Sequence, residues 1–138
     1  MKKFQFTLER IKQYREQELD TEKGTLAEIR AEIASLEAEL QGILEELARL
    51  NRELTEMYKK GTTPLEISVH KRYIAAKQQE LHMKRHQILM KEREAENQLK
   101  RVIAASQEVS KMEKLEEKQI EEYKAAEIKE YRSCLSFY

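Results

Sequence analysis

Lys59-Lys60-Gly61-Thr62-Thr63-Pro64-Leu65-Glu66 closes one helix and opens another within a few residues. Lys59 and Lys60 suit the negative end of a helix dipole, and Gly61 suits the left-handed residue that ends it. Thr63-Pro64-Leu65-Glu66 then reads as a capping box, with Thr63 at N-cap, Pro64 at N1 and Glu66 at N3 reaching back. A stop and a start so close together imply an antiparallel hairpin.

Upstream of this turn an apolar ladder runs Leu26, Ile29, Ile33, Leu36, Leu40, Ile43, Leu47, Leu50, Leu54, Met57. Its steps alternate between three and four residues. That period belongs to a left-handed coiled-coil seam rather than to the wider stripe of a helix on a globular core. Downstream, Ile67, Ile74, Leu81, Ile88, Ala95, Val102 and Val109 supply one apolar residue per heptad, while His70, Lys77, Lys84 and Lys91 take the other seam position. Facing Met57 with Ile67 sets Leu50 against Ile74, Ile43 against Leu81, Leu36 against Ile88 and Ile29 against Ala95. Charge agrees: residues 33–54 hold five acids and two bases, and residues 70–91 hold six bases and one acid. Lysine stems can cover apolar surface while their ammonium groups reach water, but incompletely, which leaves part of the first ladder for a third partner.

The expected architecture is all-α, a long antiparallel two-helix coiled-coil hairpin in a single domain, 1–138. Helix one spans about 7–60 with Thr7 as N-cap, the hinge 61–63, helix two about 64–132, and a frayed tail 133–138. At about 1.5 Å per residue the helices would measure roughly 80 and 100 Å, and roughly twenty residues of helix two would overhang helix one. Toward the N-terminus the ladder is expected to continue through Leu8, Ile11, Arg15, Leu19 and Glu22, a stutter that with Gly24 makes this half softer. Phe4 and Phe6 either fold back on the hairpin or project as an apolar tip.

Composition narrows the function. The chain is 38% charged, with three Gly, one Pro, no Trp and three Phe, as in long helices and coiled coils. A narrow seam offers little room for a buried active site, and there is neither a phosphate loop nor a nucleophile elbow. His82 and His86 have the spacing of a metal pair, but Lys84 and Arg85 repel a cation, and no metal or other cofactor is expected. Paired acids such as Glu45–Glu46 read as a solvated face. The zero net charge and the lack of interleaved aromatics argue against nucleic acid. No apolar run is long enough to span a membrane, and no secretory signal is evident. The lone Cys134 cannot form an internal disulfide. These features fit a cytoplasmic, non-enzymatic protein whose work is done through partners.

Three segments carry a family resemblance. Phe4-Gln5-Phe6-Thr7-Leu8-Glu9-Arg10-Ile11 resembles the F-x-F-x-L opening of the flagellar FliJ family. His70-Lys71-Arg72-Tyr73-Ile74 resembles its helix-two segment, and Met112-Glu113-Lys114-Leu115-Glu116-Glu117-Lys118-Gln119-Ile120-Glu121-Glu122-Tyr123 its C-terminal motif. The resemblance implies a coiled coil similar to the central shaft of rotary ATPases, entering and stimulating the export ATPase hexamer. It further implies binding to the membrane export-gate protein, escort of export chaperones, and membrane association through partners only, at the inner face of the cell membrane, in flagellum biogenesis and motility. The implied ATPase-ring contacts are Phe4, Phe6, Leu8, Arg10, Ile11, Lys114, Lys118 and Tyr123. The implied gate contacts are Tyr73, Ile74 and Lys77, although Lys77, Glu80 and Lys84 stand where some members continue an apolar face. A virulence-type secretion stalk and a structural homodimer remain alternatives.

Overall fold

A computed structural model describes residues 3–136, and its two elements are α1, Glu9–Lys60, and α2, Pro64–Ser136. The turn forms as the local chemistry dictates. Gly61 adopts φ 82° and its N–H bonds Met57 O at 3.0 Å, satisfying one of the orphan carbonyls at the end of α1. Thr63 caps α2: its Oγ1 accepts from Glu66 N–H at 3.3 Å, and its carbonyl accepts the first helical bond from Ile67. The reciprocal half of the expected capping box differs, because the Glu66 carboxylate takes the Thr62 hydroxyl instead.

Two compact units divide the chain, one formed by residues 27–97 and one by residues up to 26 together with 98 onward. In the first, Leu47, Leu50 and Ile74 form a buried cluster against which Ile43, Leu54 and Leu81 pack. Leu50 and Ile74, and Ile43 and Leu81, thus share one core, as the charge-matched register expects. Ile29 and Ile88 are also buried, whereas Ile33, Leu36, Leu40, Met57 and Ile67 are half-buried.

A feature missed in the sequence is a charge ladder in heptad register. Glu32, Glu39, Glu46 and Glu53 recur every seven residues on α1, and Lys91, Lys84, Lys77 and His70 recur every seven on α2. Lys91 meets Glu32 at 2.5 Å and Lys84 meets Glu39 at 2.7 Å. Lys77 bonds Glu80 on its own helix at 2.9 Å. Hydrogen bonds from Arg49 hold the Glu46 carboxyl below the usual carboxylate range, and Lys77 contributes from across the seam. At the last rung His70 is buried, its Nε2 2.7 Å from Leu50 O and 3.9 Å from Glu53.

In the second unit Phe6, Leu26 and Val109 are buried. The expected stutter is absent. The residues of α1 shielded from solvent include Lys12, not Ile11, so Leu8, Lys12, Arg15, Leu19, Glu22 and Leu26 continue the alternation of three and four unbroken. The apolar Ile11 misled the count because the seam position beside it is filled by lysine. α2 keeps the same rhythm through Gln98, Val102, Ala105, Val109, Met112 and Glu116. It also runs beyond the expected end at about Arg132, since nothing from Ser133 to Ser136 is a helix breaker. Phe137 and Tyr138, the end of the expected tail, lie outside the described residues.

Gly61→Ala should destabilise the protein by about 1–2 kcal/mol, the cost of a left-handed residue with a Cβ. Urea unfolding followed by circular dichroism measures it.

Candidate functional site

The first candidate site gathers around the chain's N-terminal aromatics. Phe6 is only 8% exposed, and the Phe4 ring lies 5.7 Å from the Tyr123 ring at a tilt of 60°, an ordinary edge-to-face geometry. Thr7 does not cap α1. Its hydroxyl sits 3.1 Å from Gln119 Nε2 on α2. The helix instead begins after Leu8, whose carbonyl accepts from Lys12 N–H at 2.9 Å, and Glu9 N–H bonds Phe6 O at 3.2 Å. One turn on, Lys12 Nζ donates to Glu116 at 2.6 Å, which raises the lysine's pKa above its ordinary value.

Of the two fates open to the aromatics, folding back is therefore the one realised. Extended chain continues along α2 after α1 has ended, so the part of α2 left without a neighbour is shorter than helix ends alone suggest. Phe4, Phe6, Leu8 and Tyr123 are wholly or partly buried, whereas Arg10, Ile11, Lys114 and Lys118 are exposed, Ile11 at 43%. The first four hold the end of the molecule together. The second four offer cationic and apolar side chains to solvent.

The second candidate site lies on α2 in the other unit. Tyr73 is 60% exposed, but its neighbour Ile74 is 8% exposed and belongs to the Leu47–Leu50 core. Ile74 thus stands in the seam, as its ladder position expects, and Tyr73 is the residue of the pair that faces solvent. Lys77 is half-exposed and bonded to Glu80. Tyr73, Ala76 and Lys77 line an open groove with Leu50, Glu53 and His70, which gives a recognising partner one aromatic and several charges.

Among the described residues, no three His, Cys, Asp or Glu side chains converge to hold a metal, and no helix is long and apolar enough to cross a membrane. Cys134 is exposed on α2.

The model of the family described as flagellar FliJ protein matches residues 4–131. The chain belongs to this family. Flagellar FliJ proteins are coiled-coil proteins of flagellar export, and the match takes in both the N-terminal aromatics and Tyr123. No curated protein and no solved structure matches the chain.

Sequence reasoning missed Gln119, and Lys12 with Glu116 as a bonded pair, at this FliJ-type N-terminus. Counting heptads back through Lys12 would have found the latter.

Phe6→Ala should lower stability by about 3 kcal/mol, as for a buried aromatic, while Arg10→Ala changes it by less than about 0.5 kcal/mol. Urea titrations of both variants test the contrast. The Lys12–Glu116 contribution is present below the ordinary lysine pKa of 10.5 and is lost as pH rises through the higher folded value. Lys12→Met should therefore flatten part of the alkaline fall in melting temperature.

Proposed function

We propose that this chain is a non-enzymatic shaft and adaptor of the flagellar protein export apparatus. Its end bearing Phe4–Ile11 and Lys114–Tyr123 enters the export ATPase ring, favours the assembled hexamer and stimulates turnover. The face around Tyr73 engages the membrane export gate, and the chain escorts empty export chaperones. It works in the cytoplasm, at the inner face of the membrane, held there by its partners. The family match over residues 4–131 carries this reading, and its flagellar description favours it over a virulence-type stalk.

The mechanism needs no chemistry from the chain itself. A ligand that binds the hexamer better than free subunits shifts assembly by mass action. Arg10, Ile11, Lys114 and Lys118 are suited to the recognition step because changing them leaves Phe6 and Tyr123 in place.

The test is a pulldown against the purified export ATPase followed by a turnover assay. Intact protein should bind and accelerate ATP hydrolysis, and the double variant Ile11→Asp, Lys118→Glu should do neither while unfolding at an unchanged urea concentration. No acceleration by the intact protein would remove the mechanism. Tyr73→Ala should spare stimulation and weaken capture by the gate protein.

A further inference from the structure

The beginning of α1 is held to α2 differently from the rest of that helix. Between Leu8 and Leu26 its seam positions are Lys12, Arg15, Leu19 and Glu22, so only one of the four is apolar. Arg15 is the poorest fit. Its Nη1 reaches Glu18 at 3.0 Å and its guanidinium lies 5.9 Å from the Tyr14 ring, but its Nε is buried without a hydrogen-bond partner. An unmade bond of that kind weakens the closed state.

The two ends of the stretch are fastened. At one end stand the Phe4–Tyr123 ring pair, buried Phe6, the Thr7–Gln119 contact and the Lys12–Glu116 bond. At the other, buried Gln98 donates from Nε2 to the Glu22 backbone carbonyl at 3.0 Å and also meets the Glu22 carboxylate. Two residues beyond that latch is Gly24, inside the helix, where an added Cβ would meet nothing within 4 Å. Packing does not require glycine there, so its effect is to loosen the helix by about 1 kcal/mol relative to alanine.

We propose that residues 4–22 form a strap that lifts from α2 as one piece, turning at Gly24, and uncovers Val102, Ala105, Val109 and Met112. A weak middle with two fastened ends opens all at once or not at all, whereas a helix end with graded contacts frays turn by turn. The open state exposes an apolar strip of α2 together with Phe6 and Leu19, a surface the closed state hides. The strap does not depend on the functional reading above.

The experiment uses the full chain carrying Cys134→Ser, with Val109→Cys under the strap or Ile74→Cys in the other unit, alkylated by N-ethylmaleimide under native conditions. Val109→Cys should react roughly tenfold or more faster than Ile74→Cys. Adding Gly24→Ala should slow it about fivefold, Arg15→Leu should slow it as well, and Phe6→Ala should accelerate it, all without altering Ile74→Cys. Hydrogen exchange on the unsubstituted chain supplies the independent readout: amides 12–22 should share one rate that drops sharply past Gly24. Equal reactivity of the two cysteines, equal slowing of both by Gly24→Ala, or exchange that falls smoothly inward from Glu9 would overturn the strap.

Discussion

Contact between the two helices is confined to positions spaced alternately three and four residues apart, and every other feature follows from that confinement. A seam so narrow buries few side chains, and among the described residues Phe6, Leu26, Ile29, Leu47, Leu50, Ile74, Ile88 and Val109 form the buried apolar set. A residue one place off the seam is turned through about 100° and faces water. Ile11 beside Lys12, and Tyr73 beside Ile74, are two instances. In the first pair hydrophobicity is a poor guide to burial, and in both position decides.

The same confinement explains the polar residues in the seam. α2 places His70, Lys77, Lys84, Lys91 and Gln98 at successive equivalent positions, where a fully apolar choice would bind α1 more strongly. A lysine stem at such a site can cover apolar surface, and Lys84 and Lys91 carry their charges to the glutamate row at the edge. Those ion pairs are partly solvated and individually weak, so the ladder's value lies in alignment rather than in strength. His70 and Gln98 differ from the lysines between them because each reaches a backbone carbonyl of α1. A polar group that finds its partner only in one alignment disfavours the others.

Much of this was legible in the sequence because it is periodic or local. Gly61 and Pro64 punctuate the chain, and the ladder from Leu26 to Met57 together with the charge imbalance of residues 33–54 and 70–91 sets the pairing of Leu50 with Ile74. Where the pattern loses hydrophobicity it also loses legibility. Tracing the seam through Ile11 followed apolar character when the alternation demanded Lys12. Thr7 read as a cap because threonine before a helix commonly is one, yet its partner, Gln119, is 112 positions away along the chain, and no local rule reaches that far. The fate of Phe4 and Phe6 was open for the same reason: only the arrival of Tyr123 and its neighbours on α2 settles where an isolated aromatic pair packs.

The burial pattern separates two meanings that a family motif merges. Phe4, Phe6 and Tyr123 lie in segments that resemble flagellar FliJ motifs, and Tyr73 with Ile74 in another, yet within each segment some residues hold the molecule together and others face outward. Loss of Phe6 removes the anchor that seats the N-terminal segment, so any binding lost with it is confounded with a change in structure. Loss of Ile74 opens the Leu47–Leu50 core and is confounded in the same way. Arg10, Ile11, Lys118 and Tyr73 are free of that ambiguity, because their side chains are exposed and their removal leaves the seam filled. Those outward residues are the ones at which a binding measurement can be read without that ambiguity. The inward ones fix where they stand.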